Sequence, residues 1–149
     1  MPRAQMMKSV EELVAPESVS EAIAVQERSS VFWVAVVGGA VLGAVLAAVL
    51  GLGGALMGAV VGVGAALGLV ATVTYWIVAA TDDAVLLCRS QRWRMSATEV
   101  VERHPPGTPF TKVGGIVNDE MEFAGRTVIV SRAHKDRLPR ITTIVDEFS

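Results

Sequence analysis

Cys88, His104 and His134 are the residues whose types most readily carry chemistry. A thiolate next to a histidine is a nucleophile, and two histidines with Asp136 supply the donor types of a metal site. The spacing supports neither. Cys88 lies beside Leu86 and Leu87 in an apolar run of strand length, where a free cysteine behaves as a small core residue. His104 precedes two prolines, His134 sits in a charged stretch, and the set has no recurrent ligand spacing. A single cysteine excludes an intramolecular disulfide and a four-cysteine metal centre, and fits a reducing compartment. The many glycines lack the Lys-Ser/Thr pair and the strand context of a phosphate loop. The expectation is a chain that is not an enzyme, with no catalytic residue, no metal and no cofactor.

One charged constellation remains. Arg126, Arg132, His134, Lys135, Arg137 and Arg140 crowd a short span, and Arg89, Arg92 and Arg94 form a second group. Near an anionic membrane each basic residue gains about 1 kcal/mol. Arg89, Arg92, Arg94, Arg132, Lys135 and Arg137 are therefore candidate contacts to anionic lipid. The competing reading is a solvated face balanced by Asp119, Glu120 and Asp136. The formal net charge of −2 gives no global basic field for nucleic acid.

These charges are positioned by a long apolar stretch. No Asp, Glu, Lys, Arg or His occurs between Arg28 and Asp82. As one helix this run would be about 75 Å long. The bilayer hydrocarbon is only about 30 Å thick, so the chain must turn back. Residues 31–79 are accordingly expected to form two transmembrane helices, with the turn at Gly51-Leu52-Gly53-Gly54. A turn there brings Trp33 and Trp76 to the same membrane surface, joined by Phe32 and Tyr75, as interfacial aromatics. The run follows an acidic segment of 30 residues, unlike the short basic start of a secretory signal. Arg28, Arg89, Arg92 and Arg94 flank it, so the positive-inside rule puts both termini in the cytoplasm, the chain being a multi-pass protein of the cell (inner or plasma) membrane.

Small residues recur at helical spacing within the run. Gly39, Gly43 and Ala47 repeat every four residues, as do Gly54, Gly58 and Gly62, with Gly64 and Gly68 as a further pair. Such faces let two backbones approach closely, which substitutes for the hydrophobic drive that lipid cannot supply. They can pack the two helices of one hairpin, or one face can serve the hairpin and another a second subunit. Only Thr72 and Thr74 bring side-chain polarity to the stretch, too little for an ion or substrate path.

Residues 1–30 contain Ser9-Val-Glu-Glu12 and Ser18-Val-Ser-Glu21, two helix-start patterns separated by Pro16. They predict an acidic amphipathic segment with Val10, Leu13 and Val14 on one face and Val19, Ile23 and Ala24 on another. Its acidic polar face suits protein contact or solvent better than a bilayer surface. Residues 81–149 read as a small α+β domain. Ala84–Arg89 has strand length, with Gln91–Met95 as its returning partner; Thr98–Arg103 is strand or helix; Pro109–Val113 is a strand. Glu120–Phe123 and Arg126–Ser131 flank Ala124-Gly125 as the clearest hairpin. Ile141, Ile144, Val145 and Phe148 have helical spacing, so a C-terminal helix is expected to close the domain.

Thr81-Asp82-Asp83-Ala84-Val85-Leu86-Leu87 resembles the opening strand of small bacterial pleckstrin-homology-like (PH-like) domains that follow membrane helices. Gly125-Arg126-Thr127-Val128-Ile129-Val130 and Arg132-Ala133-His134-Lys135 are similar to actinobacterial proteins of this kind, and the resemblance covers roughly residues 75–145. It implies an antiparallel PH-like sheet or barrel with a C-terminal helix, and an interaction or scaffolding role without a catalytic motif. The expected function is a membrane-anchored interaction module. Its partners are the lipid bilayer and either a second copy of itself or another membrane protein, with the domain contacting a protein or the anionic inner leaflet. The competing reading is a small pore-forming, holin-like protein.

Overall fold

The computed structural model describes residues 3–29, 31–91, 96–115 and 118–146. The chain divides into two units, one formed by residues 28–73 and the other by the segments on either side of it. The smaller unit is a helical hairpin, α2 (Phe32–Val49) and α3 (Gly54–Thr72). Each helix is about 27 Å long at 1.5 Å per residue, close to the thickness of bilayer hydrocarbon. Both are long and apolar enough to cross a membrane. Their outer surfaces leave Trp33, Leu42 and Leu56 largely exposed, which a core helix of a soluble protein does not do.

The helices meet through glycine. A side chain at Gly39 would collide with the Gly64 backbone, one at Gly43 with Val60 and Val61, and one at Gly68 with the Ala35 carbonyl. The turn falls where glycine makes it possible: Gly51 and Gly54 have φ of 66° and 57°, a region L-residues avoid. The Leu52 amide donates to the Ala47 carbonyl at 2.9 Å, closing the end of α2. At the other end the Ser29 amide donates to the Thr72 carbonyl at 3.3 Å.

The second helix stops at Thr72, short of the expected residue 79. Val73–Thr81 is instead strand β2 of the larger unit. Its sequence, Val-Thr-Tyr-Trp-Ile-Val-Ala-Ala-Thr, is β-branched and aromatic where the helices are small-residue rich, which favours a pleated, covered strand. Hydropathy alone cannot separate a buried strand from a membrane span.

The acidic N-terminal segment is also not a separate leader. It supplies α1 (Arg3–Val14) and β1 (Val19–Arg28) to the larger unit. With β3 (Val85–Ser90), β4 (Ala97–His104), β5 (Phe110–Gly114), β6 (Asp119–Phe123), β7 (Arg126–Val130) and β8 (Ile144–Asp146), these strands form an eight-stranded sheet in the order β4-β3-β2-β1-β7-β6-β5-β8. Strand β1 thus sits between β2 and β7. The helix start expected at Ser18 does not form, because Glu21 is buried and held by Arg3 through two hydrogen bonds of 2.9 and 2.8 Å.

The sheet packs on both faces. Ile23, Val25, Val78, Leu87 and Val128 converge with Phe110 and Phe123, whose rings stack at 4.5 Å. On the other face α1 lays down Met6, Val10 and Val14, at positions i, i+4 and i+8, against Ile77, Ala79, Leu86 and Cys88. Leu13, expected on that face, points outward. Ser9, expected as a cap, lies inside α1 and accepts the Ala97 amide at 3.0 Å.

Two expectations about the C-terminal part are resolved. The hairpin at Ala124-Gly125 forms, both residues having positive φ as a two-residue turn requires. The long C-terminal helix does not. The chain makes only α4 (Arg132–Lys135) and α5 (Leu138–Ile141), then extends as β8. Thr142 and Thr143 interrupt the helical spacing, and β8 pairs in parallel with the edge of β5, from Phe110↔Ile144 to Lys112↔Asp146. The sheet is therefore mixed rather than wholly antiparallel. Phe148, and Arg92, Arg94 and Met95 of the predicted return strand, lie outside the described residues.

Met6 is 2% exposed, so Met6→Ala should cost roughly 2–5 kcal/mol. Thermal unfolding of the full chain, followed by near-ultraviolet circular dichroism, checks this. An unchanged transition would mean that α1 is not part of the core.

Candidate functional site

The polar residues that matter most lie on strands at the two ends of the hairpin insertion. Glu27 ends β1 and Trp76 begins β2. The Trp76 indole N–H donates to Glu27 Oε2 at 2.7 Å. Arg126 of β7 reaches the same carboxylate at 3.4 Å and lies 5.2 Å from the centre of the Trp76 ring. Its other terminal nitrogen donates to Glu102 Oε1 of β4 at 2.6 Å. Glu102 Oε2 contacts His104 Nε2 at 3.0 Å, and the His104 ring meets Phe123 edge to face. The network joins four strands, two of which, β4 and β7, are not neighbours in the sheet. The hydrogen bond from Arg126 holds the Glu102 carboxyl below its ordinary range, with His104 adding to the effect.

Gly39, Gly43, Ala47 and Gly68 lie on the packed face of the hairpin, Ala47 fully buried. Gly54, Gly58 and Gly62 meet no atom within 4 Å of a built Cβ and are open. Trp33 is 69% exposed on α2. Trp76 is a core residue, not an interfacial one, and Tyr75 is half-buried on β2. The symmetry of the tryptophans about the glycine turn is therefore coincidental.

The basic side chains are largely matched by acids. Arg89 pairs with Glu99 at 3.0 Å, Lys135 with Asp119 at 2.9 Å, and Arg140 lies 3.8 Å from Glu21. Lys135, and then Lys112, lower the Asp119 carboxyl. Arg132 and Arg137 are carried on and just after α4 with Lys135, whereas Arg89 is on β3, with β2 and β1 between it and β7. Arg89 and Arg126, one from each basic group, nevertheless both lie against the Trp76 ring, at 5.7 and 5.2 Å from its centre. Arg92 and Arg94 lie outside the described residues.

Cys88 is fully buried under α1, and burial pushes its thiol up to about 11. His104 belongs to the opposite face of the sheet with Phe123, so no Cys88–His104 dyad is assembled. Among the described residues no group of three or more His, Cys, Asp or Glu is arranged to hold a metal ion. The Glu27–Trp76–Arg126–Glu102 network was missed in the sequence. Its only signal is the placement of charged residues at inward strand positions, visible once register is known. No known protein family, no curated protein and no solved structure matches the chain.

Two outcomes follow from this geometry. The Cys88 thiol should resist maleimide at pH 7.5 in the folded protein and react after denaturation, as mass spectrometry would read; rapid labelling of the folded chain would contradict its burial. Arg126→Met should destabilise the larger unit by about 1–3 kcal/mol at neutral pH. A depressed carboxyl stabilises the fold above its unfolded pKa, and this is lost as pH falls through the folded value. The wild type should therefore lose more stability than Arg126→Met on acidification below the ordinary glutamate range. Parallel pH profiles of the two melting temperatures would contradict that role for Arg126.

Proposed function

We propose that the chain is a membrane-anchored, non-enzymatic interaction module, with the hairpin as its anchor and the sheet domain as the part presented to a partner. The position of β1 is the observation that carries this reading. Strand β1 precedes the apolar hairpin in sequence but lies between β2 and β7, which follow it. Segments that share one sheet must lie on the same side of a membrane. The chain must then cross an even number of times, as two helices of bilayer length do. Arg28 and Arg89 flank the helices, and the nearby acids Glu27, Asp82 and Asp83 count little in the positive-inside rule, which favours the cytoplasm of the inner or plasma membrane for both termini.

The partner is a protein rather than the lipid surface, since Arg89 and Lys135 already pair with Glu99 and Asp119. The resemblance of residues 75–145 to bacterial PH-like domains agrees with a binding role, and the largely antiparallel sheet is compatible with it. The hairpin would add self-association through Gly54, Gly58 and Gly62, which leave a small-residue face open on α3. A pore-forming role draws no support from the helices, where the Thr72 hydroxyl is already bonded to the Gly68 carbonyl at 3.0 Å.

The glycines separate anchoring from association. Gly62→Leu and Gly58→Leu should lower dimer or higher-oligomer content in lipid nanodiscs at least about tenfold, equivalent to 1.4 kcal/mol, while the monomer stays folded. Gly64→Leu should instead disrupt the hairpin itself. Unchanged native mass spectra for the first two variants would remove self-association. Reporter fusions placing the two termini on opposite sides of the membrane would overturn the whole reading.

A further inference from the structure

The larger unit contains a cleft apart from the Glu27–Trp76–Arg126–Glu102 network. It has a volume of about 240 Å³ and opens on the sheet face that also carries α1. Gln26 of β1, Tyr75 of β2, Asn118, Ser131 and His134 line it, with Ile129 of β7 as part of an apolar floor. Among the described residues no Asp, Glu, Lys or Arg side chain contributes to the wall. Ser131 stands at the start of α4 without using its hydroxyl as a cap. His134 Nδ1 is buried and has no hydrogen-bond partner among the described residues.

These features define a chemistry. An unpartnered buried ring nitrogen costs about 1–3 kcal/mol unless something bonds to it. Burial, and then the charge of Arg137, lower the His134 pKa and so favour its neutral ring. The side-chain amides of Gln26 and Asn118 each present a donor beside an acceptor, the pattern that pairs with another amide. With about 30 Å³ per water molecule in the liquid, the cleft holds the equivalent of about eight waters, which is the size of a single small ring.

We infer that this cleft is a binding site for a small, neutral cyclic amide, of the nucleobase or lactam type, recognised by Gln26, Asn118 and His134 over the apolar floor. Charged ligands are disfavoured because no opposite charge lines the wall, and purely apolar ligands because they would leave Gln26 and His134 unpaired.

Uracil is a suitable probe, with benzene and acetate as controls of similar or smaller size. Full-length protein labelled with ¹⁵N-histidine in nanodiscs gives ring signals from only two histidines, His104 and His134. Uracil should shift the His134 ring nitrogens saturably, with a Kd in the millimolar range or below, and leave His104 unmoved. Gln26→Leu should weaken binding at least tenfold, and His134→Phe should abolish the response of a ¹⁵N-glutamine label at Gln26. Gln26 is exposed on its strand, so its replacement leaves the core intact. The inference fails if uracil at its solubility limit leaves the His134 signals in place. It also fails if benzene or acetate shifts them equally, or if Gln26→Leu binds as tightly as the wild type.

Discussion

The pairing of β1 with its two neighbours is the constraint on which the rest of the structure depends. A strand that precedes the apolar helices lies between two that follow them. Without it β2 and β7 would each expose an unpaired edge in the middle of the sheet, and the shared core of Ile23 and Val25 with Val78, Leu87 and Val128 would be split. The hairpin is therefore an insertion within a domain. It cannot be regarded as a leader attached ahead of one, and the larger unit completes its sheet only after both helices have been made.

Side chains reinforce what backbone pairing begins. Glu27 and Trp76 stand at the chain ends that open into the hairpin, and Arg126 ties them to Glu102 across strands that do not hydrogen-bond to each other. At the other end of β1, Glu21 is held by Arg3 of α1, with Arg140 nearby. A buried carboxylate is costly unless paired. Buried Glu21 thus favours the one register that brings Arg3 to it, and half-buried Glu27 adds a weaker preference for Arg126; charge here specifies the arrangement rather than supplying much net stability.

The hairpin, its turn and strands β3, β5, β6 and β7 were legible in the sequence, because absence of charge, clustered glycine and alternation are local signals, whereas Thr98–Arg103 was open between strand and helix. What was not legible came from long-range pairing. Ser18 and Glu21 look like a helix start, and only the partnership with Arg3, β2 and β7 makes a strand of Val19–Arg28. Val73–Thr81 is uncharged for a different reason than the helices: it is covered by α1 on one face and by the aromatic core on the other. Trp76 was assigned to the membrane surface by symmetry, whereas its indole N–H is satisfied by a glutamate forty-nine residues away. Helical spacing at the C-terminus was overridden because β5 offered an unpaired edge that Ile144 and Val145 could join.

The glycines acquire a second meaning from this topology. Neighbouring strands lie about 4.8 Å apart, whereas helices ordinarily pack with axes 8–10 Å apart. A helical hairpin whose ends must feed two adjacent strands therefore has a geometric mismatch at its base. Close backbone contact at Gly68 with Ala35, and at Gly39 with Gly64, brings the two helices nearer than larger residues would allow. The Ser29–Thr72 hydrogen bond then closes the base itself. Gly39, Gly64 and Gly68 thus set the spacing of α2 and α3, whereas Gly54, Gly58 and Gly62 make no such contact within one chain. A larger side chain in the first set must push the two helices apart, and one in the second set need not.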